Sequence, residues 1–278
     1  MLEGGESHED GGAATVAVMG VPSDVGSSYL QGAADGPARM RQVMYAGSGN
    51  LCTEDGTDLK DNPHWHDLGD IELGAIAEIH GMIEGAVAEV LESGAKALSV
   101  GGDHSVTHPI VKAYAKKHTG LNILHLDAHP DLYDEYNGSR GSHACTFARI
   151  MEEGLAKRLV QVGIRASTPH QDEQAQRFGV EMIRMEDLAT KWPATFDGPV
   201  YLSLDLDVLD PAFAPGVSHP EPGGLTTREV IRIIRGVAAP LVGADIVELN
   251  PGRDTSDIAA IAAFKLLKEI SAAMMRQG

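Results

Sequence analysis

Residues 121–131 read Leu-Asn-Ile-Leu-His-Leu-Asp-Ala-His-Pro-Asp. The first six form an apolar run with strand character. Three potential metal ligands then follow at alternate positions: Asp127, His129 and Asp131. In an extended segment, alternate side chains share one face. A strand ending in Asp-x-His-x-Asp therefore aims two carboxylates and an imidazole at one point. That much charge in a cleft is costly unless a cation neutralises it. The competing reading is a solvated acidic loop.

Two other stretches repeat the arrangement. Ala97-Leu98-Ser99-Val100 leads into Gly101-Gly102-Asp103-His104, and Tyr201-Leu202-Ser203-Leu204 ends in Asp205-Leu206-Asp207. Ligands of an open α/β sheet bind at the carboxyl ends of its strands. That rule gathers His104, Asp127, His129, Asp131, Asp205 and Asp207. Two imidazoles and four carboxylates are too many for one ion. They suit two adjacent divalent metals with a carboxylate bridging them. Asp210, just before Pro211, reads as a turn residue, and the helical His80 and His108 read as structural.

Outward from these stretches, strands and helices alternate. Strands are expected at 15–20, 97–100, 122–126, 159–162, 181–183, 200–204 and 242–249, with a short strand or turn at 66–70. Helices are expected at 38–46, 75–94, 107–117, 145–154, 171–178, 226–236 and 258–275. The 75–94 helix carries an apolar stripe of Ile76, Ile79, Ile83, Val87, Val90 and Leu91. The fold class is α/β: a three-layer α/β/α architecture with a mainly parallel central sheet. Residues 1–14, rich in Gly and Glu, read as a flexible tail. No linker or repeat divides the rest, so residues 15–278 read as a single domain.

The 40 acidic and 22 basic residues give a net charge of −18. Nucleic acid is excluded as a partner, because phosphate binding needs a basic face. Such a field steers cationic substrates favourably, although acidic surfaces also serve solubility alone. Cys52 and Cys145 are far apart, with no Cys-x-x-Cys, so neither a disulfide framework nor a zinc cluster is supported. No apolar run is long enough to span a membrane and no secretory segment stands out. The expectation is no membrane partner and a cytoplasmic setting, with an organelle as the alternative.

Gly101-Gly102-Asp103-His104, Asp127-Ala128-His129-Pro130-Asp131 and Ser203-Leu204-Asp205-Leu206-Asp207-Val208-Leu209-Asp210-Pro211 resemble the three signatures of the ureohydrolases, the arginase/agmatinase family of dinuclear manganese hydrolases. The resemblance extends over nearly the whole chain. Ser28-Tyr29-Leu30-Gln31-Gly32, Ser142-His143-Ala144, Gln161-Val162-Gly163-Ile164-Arg165 and Val217-Ser218-His219 are similar to the plant-type arginase branch.

The resemblance implies roles residue by residue. His104, Asp127, Asp131 and Asp205 would hold one manganese; Asp127, His129, Asp205 and Asp207 would hold the other. Asp127 and Asp205 would bridge. His143 matches the histidine that handles protons near the leaving group, and Glu248 the glutamate that pairs with the guanidinium. The loop 134–141 would touch the substrate's far end, through Asn137, Ser139 and Arg140. Arg140 could face a carboxylate there or be a solvated loop charge. Ser139 and Gly141 are smaller than the residues usual in the plant-type branch.

The implied activity is hydrolysis of L-arginine to L-ornithine and urea. Agmatine, giving putrescine and urea, is the alternative, followed by another small guanidino compound with nickel in place of manganese. A guanidinium is a poor electrophile, and two metals supply a strong water-derived nucleophile at neutral pH. Asp131 would hold that nucleophile by hydrogen bonding while also ligating, and Glu248 would orient the guanidinium. A reading of another class is a non-catalytic, metal-binding regulatory subunit. Homotrimers or homohexamers are expected from the family.

Overall fold

The computed structural model describes residues 13–47, 49–192 and 194–276. Eight strands make one sheet: β1 (Val16–Val21), β2 (Trp65–Asp70), β3 (Lys96–Gly101), β4 (Asn122–Leu126), β5 (Arg158–Ile164), β6 (Glu181–Arg184), β7 (Val200–Asp205) and β8 (Leu241–Val247). Their order is β2-β1-β3-β8-β7-β4-β5-β6, and every pairing is parallel. The expected 66–70 segment is thus the edge strand β2. Parallel strands need crossovers, which the helices provide: α1 (Gly36–Tyr45), α2 (Ile79–Glu92), α3 (Thr107–Lys117), α4 (Thr146–Glu152), α5 (Pro169–Phe178), α6 (Leu188–Lys191), α7 (Thr227–Gly236) and α8 (Ile258–Arg276). The sequence reading did not include α6.

The period of two along each strand divides its side chains between two cores. Leu124, Leu126, Leu202 and Leu204 pack with α1, α7 and α8 on one face. Ile123, Leu159, Tyr201 and Ala97 pack with α2, α3 and α4 on the other. Strands buried on both faces need continuous apolar runs, and β1, β4, β7 and β8 are buried throughout.

Two expectations shift. Ile76 does not join the apolar stripe of α2; it sits in a 3-10 turn ahead of the helix and is 74% exposed. β8 ends at Val247, and Glu248 takes a left-handed φ of 66°. Helix α7 starts as read, with a capping box: Glu229 N donates to Thr226 Oγ1 and Thr226 N donates to Glu229 Oε2. Of the expected tail, residues 1–12 lie outside the described residues, while Ala14 N donates to Met275 O at 3.1 Å.

Candidate metal centre

The carboxyl ends of β3, β4, β7 and β8 lie side by side at the middle of the sheet. After β3, Gly102 N donates to Val21 O, and a Cβ on Gly102 would fall 1.8 Å from Ser23 O. Only glycine permits that approach. Asp103 Oδ1 then accepts from Ser105 N at 2.9 Å, opening the 3-10 turn that carries His104.

The Asp127–Asp131 run is not extended, as the sequence reading assumed. Asp127 Oδ1 folds back to accept from His129 N at 2.6 Å, and Asp131 has a left-handed φ of 51°. Phe147 N donates to Asp131 O and holds the turn in place. The three ligands converge through a turn rather than along one strand face. After β7, Asp205 Oδ1 accepts from Asp207 N at 2.8 Å in the same manner. Short polar side chains that bond the backbone two residues on make such turns locally favourable.

These turns bring all six expected ligands together. His104 Nδ1 lies 3.1 Å from Asp127 Oδ2, 3.2 Å from Asp131 Oδ2 and 3.1 Å from Asp205 Oδ2. His129 Nδ1 lies 2.9 Å from Asp207 Oδ2 and 3.5 Å from Asp127 Oδ1. His104 is fully buried, yet its Nδ1 makes no aligned hydrogen bond to any of the three oxygens around it. A ring nitrogen aimed between three carboxylate oxygens is a donor arrangement that could hold a cation. The electrostatics agree. Burial and repulsion from Asp207 and Asp127 push the Asp205 carboxyl well above its usual range, and burial with Asp127 lifts Asp207 to about 6. The donor set fits two divalent ions that prefer oxygen and imidazole.

Beside the cluster is a cavity of about 180 Å³, large enough for a small molecule. Asp131, Asp205, Asp207 and His129 line it, as do His143 and Glu248. His143 Nδ1 is 2.7 Å from Glu248 Oε1, and its Nε2 is 2.8 Å from Ser28 Oγ. Burial pulls the His143 imidazolium down, but Glu248 overcomes this and lifts it to about 9. The Ser28 amide also points at Nε2 from 3.2 Å, a contact that suits a neutral ring and opposes that lift. Glu248 Oε1 also accepts from His104 N at 3.0 Å, while Oε2 has no hydrogen-bond partner among the described residues.

The arginase family profile matches residues 14–272. This chain belongs to the arginase family. It is similar to arginase 1, mitochondrial, of Arabidopsis thaliana, with 44% identity over 279 residues, 94% of this chain and 82% of that one. Guanidinobutyrase of Pseudomonas aeruginosa is 35% identical over 93% of this chain and 86% of its own length. The solved arginase of Medicago truncatula has the same fold, with a TM-score of 0.89 and 41% identity, covering 95% of this chain and 88% of that one.

Within this arginase-family site, three expected substrate residues stand apart. Asn137 and Gly138 have φ of 51° and 80° and form the tip of a tight hairpin closed by Tyr136 and Ser139, each donating N–H to the other's carbonyl at 3.0 Å. Asn137, Ser139 and Arg140 are exposed and do not line the cavity. Arg140 turns outward because Asp134 and Glu152 hold it, each at 2.7 Å. Tyr133, Tyr136 and His219 line the cavity instead. The sequence reading did not assign these three. His219 stood in a quoted motif, and two tyrosines flanking acidic residues carry no distinctive spacing. His108, read as structural, pairs with Glu153 at 3.0 Å away from the centre.

Proposed function

We propose that this chain hydrolyses L-arginine to L-ornithine and urea with two divalent ions per subunit, manganese by preference and nickel as the alternative. The observation that carries the proposal is His104 Nδ1 set between three carboxylate oxygens, beside a second imidazole–carboxylate set. His104, Asp127, Asp131 and Asp205 are proposed to hold one ion, and Asp127, His129, Asp205 and Asp207 the other. When bound, the pair supplies a water-derived nucleophile at neutral pH and charge stabilisation for the poorly electrophilic guanidinium. Similarity to the Arabidopsis arginase over 94% of the chain supports arginine as the substrate.

The chain's own side chains supply the rest. Glu248 is buried, with one oxygen fixed by His104 N and His143 and the other unpartnered. That free oxygen is proposed to pair with the guanidinium and orient it, an entropic contribution to rate. Asp131 is proposed to hold the attacking water by accepting its proton in a hydrogen bond. His143, at the cavity wall, is proposed to deliver a proton to the departing amine, with Ser28 Oγ fixing its outer nitrogen. The net charge of −18 favours arrival of a cationic guanidino compound.

Agmatine is the second reading. Among the described residues no Lys or Arg lines the cavity, so no charged partner there selects for a substrate carboxylate. The test is urea release by the Mn-loaded enzyme from arginine, agmatine, shorter guanidino acids and free guanidine. Turnover of arginine well above agmatine is the expected result; a preference for another guanidine would overturn the substrate and leave the mechanism. Ion uptake without urea from any substrate, repeated with nickel, would favour the non-catalytic regulatory subunit.

The assembly is proposed to be a homotrimer or homohexamer, to be read by light scattering. No helix among the described residues is long and apolar enough to cross a membrane. The cytoplasmic setting and its organellar alternative are separated by cell fractionation. The mitochondrial name of the Arabidopsis relative favours the organelle.

A further inference from the structure

One register position runs as a polar row across the buried sheet. Gln161 on β5 pairs with His125 on β4, His125 with Ser203 on β7, and Ser203 with Asp245 on β8. All four side chains are fully buried on the face that packs against α2, α3 and α4. Burying polar groups on neighbouring strands is costly unless their hydrogen bonds are satisfied. Here the row lies directly behind the metal centre. His125 precedes Asp127 by two residues, and Ser203 precedes Asp205 by two.

The direction of each hydrogen bond is forced from the ends. Asp245 receives hydroxyl protons from Ser203 (2.7 Å), Thr107 (2.8 Å) and Tyr201 (2.6 Å). Since Ser203 spends its proton on Asp245, its oxygen must accept from His104 Nε2, 2.9 Å away. His104 then carries N–H on Nε2 and presents Nδ1 to the carboxylate cluster. At the other end, the carbonyl of Pro130 can only accept, and Gln161 Nε2 lies 2.6 Å from it. The same amide donates its other proton to His125 Nδ1 at 3.0 Å. His125 Nε2 is thereby the protonated nitrogen, and it donates to Asp127 Oδ2 at 2.7 Å. His125 is close enough to Asp127 and His104 to be mistaken for a ligand. Both of its nitrogens are already engaged, and Phe147 stacks on its ring at 3.8 Å.

We propose that Gln161–His125 and Ser203–Asp245 form one positioning layer, which fixes Asp127 and His104 in the orientation that binds the metal pair. Partners behind metal ligands hold ring tautomers and lone-pair directions, and their loss typically weakens metal binding about 10–100-fold. The inference rests on the metal reading proposed above.

The test is Mn(II) titration of the chelator-stripped full chain, followed by calorimetry, for wild type, Ser203→Ala, Ser203→Thr and Gln161→Met. Folding of each is checked by circular dichroism. Wild type is expected to bind two ions, with Ser203→Ala and Gln161→Met each weakened roughly 10–100-fold. Ser203→Thr keeps the hydroxyl and is expected to restore affinity to within a few-fold of wild type. Folded alanine and methionine variants that bind Mn(II) like wild type would overturn the positioning layer and leave the metal reading intact. Ser203→Thr as weak as Ser203→Ala would show that packing, not the hydroxyl, matters, and would also overturn it. A wild-type chain that binds no Mn(II) would overturn the metal reading and this inference with it.

Discussion

The proton on His143 is governed by neighbours that pull in opposite directions. Burial disfavours the imidazolium, and Glu248 at 2.7 Å restores it, up to about 9. A raised pKa means the charged form persists at neutral pH and disappears as pH rises through that value. The proposed divalent ions beside Asp131 and Asp205 would add positive charge and lower that value, so in the loaded enzyme the transition is expected below about 9. Activity against pH is therefore expected to show an alkaline limb that sets in below about 9. His143→Gln should remove the limb and lower kcat by roughly 10²–10⁴-fold, the usual contribution of a placed general acid. A variant with the limb unchanged and near-normal kcat would assign the proton to another group.

At the scale of elements, the loop 50–58 is fastened to α7 and α8 by charge. Glu54 meets Arg228 at 2.5 Å, Lys265 at 3.3 Å and Arg235 at 3.6 Å. The Arg228 hydrogen bond leads in holding the Glu54 carboxyl down to about 2. A depressed carboxyl contributes stability above its unfolded value of roughly 4.5 and loses it as pH falls through the folded value. With the side chain 26% exposed, solvent limits the effect to ~1 kcal/mol at most. Glu54→Gln is expected to lower the urea midpoint slightly at pH 7 and to match wild type near pH 2. An equal loss at both pH values would mean that packing, not charge, holds the loop.

Strand and helix positions were legible because continuous apolar runs and amphipathic spacing directly encode burial. The gathering of His104, Asp127, His129, Asp131, Asp205 and Asp207 was legible for a related reason, since all six follow or end apolar strands whose carboxyl ends lie side by side. The path of Asp127 to Asp131 was not. Alternating acidic residues suit an extended strand and an Asx turn equally well, and the choice depended on Phe147 N reaching Asp131 O. Of the two readings of Arg140, its exposure favours the solvated loop charge, and the choice was not legible because Glu152, its second partner, comes from another element, α4. The polar row needed inter-strand register, which no single strand's sequence carries.

For the whole molecule, four of the 40 acidic residues sit where charge is least tolerable. Asp127, Asp131, Asp205 and Asp207 are all less than 9% exposed and crowd around His104 and His129. Without cations, like charges at this spacing oppose folding; with the proposed ions bound, the same groups would become bonds between the ends of β3, β4 and β7. Any ion that binds only the folded chain raises stability by mass action, about 2.7 kcal/mol at a hundredfold excess over its dissociation constant. Wild type is therefore expected to melt several degrees higher with Mn(II) than with chelator. Asp205→Asn separates the two regimes. Its amide removes one of the crowded charges, so in chelator the variant should melt at or above stripped wild type. With Mn(II) it lacks a proposed bridging carboxylate, so its gain should be a fraction of the wild-type gain. The two melting curves are thus expected to change order between the conditions. If Asp205→Asn instead lowers the melting temperature equally with and without Mn(II), Asp205 acts as a turn residue through its bond to Asp207 N, and the charge-crowding account fails.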